Sequence, residues 1–94
     1  MTNFFYDKNM AVITSRFVVA QNSPIIYVSH NHEDGIWEFY GVEDLKEDDY
    51  RVVSLAEILE LDSPVFELQY MELGKYALRN SKADLWIINN SCTQ

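Results

Sequence analysis

The period of the hydrophobic positions changes several times along this chain, and each change marks an element. Residues 10–20 are apolar and rich in β-branched side chains, interrupted by Thr14, Ser15 and Arg16. They read as one buried strand, or as a short strand followed by a turn near Ser15 and Arg16. In either case the Arg16 head must reach solvent or a carboxylate, because an isolated charge is costly to bury. The cluster Gln21, Asn22, Ser23, Pro24 is a turn signal. Residues 25–28 are apolar on both faces, as in a central strand. A polar stretch then leads to Gly35, which can take the positive φ that closes a hairpin. Beyond it the pattern alternates, with Trp37 and Phe39 on one face and Glu38 and Tyr40 on the other.

After Gly41 the chain turns acidic, and residues 43–49 carry five carboxylates and one lysine. Self-repulsion predicts an exposed loop there. Residues 50–53 return to strand character. Ser54 and Glu57 then have the spacing of a capping box, and Leu55, Ile58 and Leu59 form one apolar stripe. That helix should stop near Asp62, because Pro64 disfavours helical geometry at Ser63. Pro64 suits the start of a second, shorter helix capped by Ser63 and packed down by Val65, Phe66, Leu68 and Tyr70. Gly74 is a natural terminator. Residues 75–79 alternate, with Tyr76 and Leu78 expected inward; residues 85–88 read as the last strand and 89–94 as a frayed tail. The expected fold is one domain over residues 1–94, with an ordered core from about 10 to 88. It is an α+β domain: a mostly antiparallel, twisted sheet of about five strands, with two short consecutive helices packed on one face.

Composition narrows the functional classes. A hydrophobic fraction of 48% and an aromatic fraction of 14% are too high for a disordered chain. At 94 residues the fold buries roughly 60–65% of its unfolded surface, which leaves little volume for a deep cleft. The lone Cys92 cannot form an intramolecular disulfide. With no signal-peptide pattern and no apolar run of about 20 residues, a cytoplasmic location is expected. The net charge is −8, and eleven of the fifteen acids lie between Glu33 and Asp62, against Lys46 and Arg51 alone. Such a balance disfavours direct contact with nucleic acid or an anionic membrane surface, and it steers a basic protein instead.

The order of these signals resembles a known family. An opening Val-Ile-Thr-Ser-Arg-Phe-Val leads to a hairpin with Asp34-Gly35 before Trp37. An aromatic residue then precedes Gly41 and an acidic loop. Last come Val53-Ser-Leu-Ala-Glu-Ile-Leu-Glu-Leu-Asp62, with Pro64 two residues on, and a glycine-led strand. The pattern resembles small bacterial proteins of unknown biochemistry, part of which are grouped with the immunity proteins of polymorphic toxin systems. It covers roughly residues 10–88. Three departures stand out: Ile36 separates Gly35 from Trp37, Ser63 separates Asp62 from Pro64, and Met71-Glu-Leu-Gly74 lacks a proline before its glycine. The resemblance implies an α+β fold and stoichiometric inhibition of a toxin.

The residues expected to bind a partner are Glu33, Asp34, Tyr40, Glu43, Asp44, Glu47, Asp48 and Asp49. They would form an acidic edge joining the hairpin loop to residues 43–49, facing a basic protein. A second reading is a small metal-binding protein or enzyme using His30 and His32, which share a side in an extended strand, with Glu33 or Asp34 as a third ligand. A third is a regulatory domain that self-associates through an exposed strand edge. No cofactor is expected. Glycines at 35, 41 and 74 alone rule out the glycine-rich phosphate loops, and no nucleophile elbow is present, so the chain reads as a binder and not an enzyme.

Overall fold

The computed structural model describes residues 3–90. Six strands form one mixed sheet: β1 (Ala11–Ser15), β2 (Tyr27–His30), β3 (Trp37–Tyr40), β4 (Tyr50–Ser54), β5 (Lys75–Leu78) and β6 (Ile87–Asn90). Their spatial order is β4-β1-β3-β2-β5-β6. The β1–β3 pair is parallel and every other pair is antiparallel. Two α-helices, α1 (Arg16–Gln21) and α2 (Leu55–Leu61), and two 3-10 helices, at Glu47–Asp49 within the acidic segment and at Ser63–Leu68, complete the described part of the domain. The radius of gyration is 12.3 Å, as expected for a globule of this length.

The strand-or-turn ambiguity over residues 10–20 resolves as a strand followed by a helix. Ser15 is extended, and its hydroxyl accepts from the Val18 amide at 3.2 Å, so it caps α1. Asn22 ends the helix in the left-handed region at φ 56°, where asparagine is tolerated. Ser54 caps α2 by accepting from the Glu57 amide at 3.3 Å. The helix stops at Leu61, as Pro64 requires. The second helix is a 3-10 segment whose N-cap is Asp62, one residue before the expected Ser63.

Strand parity defines the two faces. Val12 and Thr14 of β1, Val28 and His30 of β2, Trp37 and Phe39 of β3 and Ala77 of β5 are all buried. They share one core with Phe5, Val18 of α1, Leu55 and Ile58 of α2, and Val65 and Leu68 of the 3-10 helix. Each fully buried aliphatic side chain contributes about 1.5–3 kcal/mol, so this layer carries most of the stability. The Thr14 hydroxyl lies inside it and donates to the Phe39 carbonyl at 2.6 Å, which ties β1 to β3 across their parallel register.

The expected mostly antiparallel sheet is present, with six strands where about five were expected, and residues 11–15 and 50–54 pair over five residues each. Two expectations need correction. On β5 the inward residue is Ala77, while Tyr76 is half-buried and Leu78 is exposed; alternation was read correctly but in the wrong phase. The last strand begins two residues later than expected. It includes Asn89 and Asn90, which pair with Tyr76 and Lys75, so those two positions belong to the sheet and not to a tail. The rest of the expected tail, residues 91–94, lies outside the described residues.

Candidate functional site

Among the described residues, no element covers the second face of the sheet. The registers place Tyr50 and Val52 of β4, Ile13 of β1, Glu38 and Tyr40 of β3, Tyr27 and Ser29 of β2, Tyr76 and Leu78 of β5, and Ile87 of β6 on this side. Val52 is 70% exposed and Ile87 65% exposed, at the two opposite edges of this face. Four tyrosines form a band across this face from β4 to β5. Tyr50 meets the Tyr40 ring edge-on at 5.9 Å, Tyr40 stacks on Tyr27 at 6.3 Å, and Tyr27 lies 5.9 Å from Tyr76. These offset and edge arrangements stabilise aromatic pairs and hold the rings in place.

Four polar side chains on this face, Tyr40, Glu38, Asn31 and Ser29, are bonded in a chain. The Tyr40 hydroxyl donates to one oxygen of Glu38, and the Asn31 amide donates to the other. Ser29 donates in turn to the Asn31 side-chain oxygen at 2.6 Å. Burial, and then the bond to Glu38, push the Tyr40 pKa upward, so its hydroxyl keeps its proton. Beside this network lies an open groove of about 470 Å³. Its walls include Tyr27, Ser29, Tyr76 and, at the hairpin tip, Glu33 and Asp34.

The expected acidic edge separates into two groups. Glu33 and Asp34 are exposed in the β2–β3 turn, where Asp34 shapes the loop by accepting from the Ile36 amide at 2.9 Å. Asp44, Glu47 and Asp48 are exposed beyond the other end of β3. The strand between them, four residues long, spans roughly 13 Å. The acids therefore stand as two poles with the tyrosine face between them, and not as one continuous edge.

Two of the expected contact acids have structural duties. Asp49 is buried, accepting from Arg16 Nε at 2.7 Å and from the Lys46 amide at 2.9 Å. The Lys46 amide and then Arg16 hold its carboxyl below the usual range. This is the carboxylate that Arg16 was expected to need. Glu43 is half-buried and accepts from the Ser23 hydroxyl at 2.7 Å. Its other oxygen is enclosed without a partner among the described residues, 2.8 Å from where a Cβ on Gly41 would sit.

The two histidines differ in environment, one buried and one exposed. β2 ends at His30, whose ring is buried, stacked 4.0 Å from Trp37 and edge-on to Phe4 at 4.8 Å. Its Nδ1–H donates to the Met71 carbonyl at 2.8 Å. His32 is exposed in the turn, packed against Gly74. Among the described residues, no group of three or more His, Cys, Asp or Glu side chains is placed to hold a metal ion.

Burial lowers the His30 pKa from 6.5, against the opposing bonds to the Met71 and Glu72 backbone. The unfolded chain therefore binds the proton more readily than the fold. The stability this supplies is present above about pH 6.5 and declines as pH falls below it. Urea midpoints measured across this range should drop on acidification, and His30→Phe should flatten the slope. An equal slope in the variant would show that His30 is not the group responsible.

Of the residues forming the open face, the sequence reading picked out Tyr40 alone. Tyr27, Tyr50, Tyr76, Glu38, Ser29 and Asn31 were missed. Alternation within each strand was the available signal, but the cross-strand register that brings the tyrosines together is not a local property. No helix is long and apolar enough to cross a membrane among the described residues. No family model, curated protein or solved structure matches the chain.

Proposed function

We propose that this chain is a protein-binding domain that takes up a basic partner on the open face of its sheet. The observation that supports this reading is the band of four linked tyrosines on an uncovered sheet face, bracketed by two acidic poles. Tyrosine offers a large, rigid contact surface at low entropic cost, and it is enriched among the residues that dominate binding energy. The poles, within a net charge of −8, would accelerate the approach of a cationic surface and orient it. The reading is of a binder and not an enzyme, because the one carboxylate at the centre of this face is engaged: both oxygens of Glu38 accept hydrogen bonds, from Tyr40 and Asn31.

The resemblance to bacterial immunity proteins supplies the class of partner, a toxin that is bound one-to-one and inhibited in the cytoplasm. The test is a calorimetric titration against the basic protein that co-purifies with the native chain from its own cells, once mass spectrometry has identified it. Tyr27→Ala combined with Tyr76→Ala should weaken binding by about 2 kcal/mol or more, roughly thirtyfold. Asp44→Asn combined with Asp48→Asn should slow association and reduce its salt dependence, with dissociation little changed. Unaltered affinity in the tyrosine variant, or a partner without a basic surface, would rule the reading out.

A further inference from the structure

The two edges of the sheet are built differently. At β4 the Arg51 guanidinium folds back on the main chain, donating to the Asp48 carbonyl at 2.7 Å and the Tyr50 carbonyl at 2.8 Å. A charged side chain over an edge is one of the devices that discourage strand addition, and the acids Glu47 and Asp48 stand beside it. At β6 the strand is Ile-Ile-Asn-Asn, with no charge, no proline and no glycine within it. Ile87 and Ile88 point to opposite faces, and both are exposed, at 65% and 48%. Leu85, just before the strand, is 81% exposed. One side of β6 pairs with β5; the backbone groups on its other side meet no strand among the described residues.

We propose that β6 is a self-association edge, where a second copy of this chain pairs antiparallel to form one continuous sheet. Charge distribution favours a second copy over a basic partner at this place. The acid-rich segment between Glu33 and Asp62 supplies β3, β4 and their loops, whereas Lys75 and Lys82 lie in or next to β5. A dimer formed through β6 joins the least acidic edges and leaves the β4 edges of the two copies farthest apart. A two-fold axis perpendicular to the sheet keeps like faces together, so residues of equal parity must oppose one another. Centring the axis on Ile88 sets Ile88 against its own copy and Ile87 against Asn89 of the other. Leu78 and Ile87, side by side on the open face, then lie at the seam. The tyrosine band remains free, so such a dimer would present two partner surfaces on one side.

Sedimentation velocity over a wide range of concentration, with the tag removed, tests this. The average mass should rise from 11.0 kDa to twice that value as concentration increases. Ile88→Lys should keep the chain monomeric with an unchanged circular dichroism spectrum, since the side chain replaced is half-exposed. Hydrogen exchange on the unaltered chain gives a second readout, with β6 amides gaining protection at high concentration. A monomer at every concentration would overturn the proposal. So would a dimer that survives Ile88→Lys, or growth beyond the dimer, which would require the β4 edge. Tyr27→Ala with Tyr76→Ala should leave the dimer intact, which separates this edge from the partner surface.

Discussion

Asp62→Ala is expected to lower the stability of the fold by about 3–5 kcal/mol, the cost of leaving a buried charge without its counter-ion. The charge belongs to Arg79, whose side chain is fully buried against that of Asp62. Arg79 Nη2 donates to the Asp62 carboxylate, and Nε donates to the Ile25 carbonyl at 2.9 Å. The guanidinium also lies over the Trp86 ring, 4.1 Å from its centroid. This one side chain therefore joins the end of α2, the entry to β2 and the segment that leads to β6. A small domain has roughly 5–15 kcal/mol of total stability, so the substitution should move the urea midpoint far toward zero. Replacing both partners, Asp62→Leu with Arg79→Met, should recover much of the loss, because no charge is then left stranded. A cost of less than about 1 kcal/mol for Asp62→Ala would mean that the guanidinium is solvated in solution, as an exposed ion pair would be.

Trp37→Ala should cost a similar amount, about 3–5 kcal/mol, through lost burial and the cavity left behind. Trp37 sits at the centre of a column of rings. His30 stacks on it at 4.0 Å, Phe5 meets it edge-on at 4.8 Å, and Phe39 lies 6.2 Å away. The N-terminal segment is held partly by this contact, since Phe5 also packs against Phe66 at 6.3 Å. Denaturant titration measures the loss, and Trp37→Phe should give a markedly smaller one because it keeps part of the ring volume. A cost for Trp37→Ala no larger than that of an exposed substitution would contradict the packing described.

Much of the fold was legible in the local pattern. Alternation at Trp37–Tyr40 assigned both faces of β3 correctly, because a half-buried strand writes its faces directly into the sequence. Ser54, Pro64 and Gly35 marked a helix start, a helix stop and a turn for reasons of backbone geometry, and each does so. What escaped was set by partners distant in sequence. The α1 helix carries β-branched residues that suit a strand equally well, and the Ser15 cap decides between them. The phase of β5 depends on Ala77, a small residue that fits beneath the helices while its larger neighbours stay outside. At the candidate site, composition located the acids but could not show that Asp49 answers Arg16 or that β3 separates the two acidic groups. The tyrosine band needs four strands in register before it exists.

The parallel contact between β1 and β3 also bears on how the chain reaches its native state. Neighbours in the β2–β3 hairpin meet across a short turn, whereas Thr14 and Phe39 are 25 residues apart when they bond. Closing the longer loop costs entropy before any contact repays it. The expected order is an early hairpin, followed by capture of β1 and then β4 on its far side. High contact order of this kind slows folding, and until β1 docks, the outer edge of β3 stands open as a template for another chain. One edge open to mispairing is therefore one that the finished structure conceals.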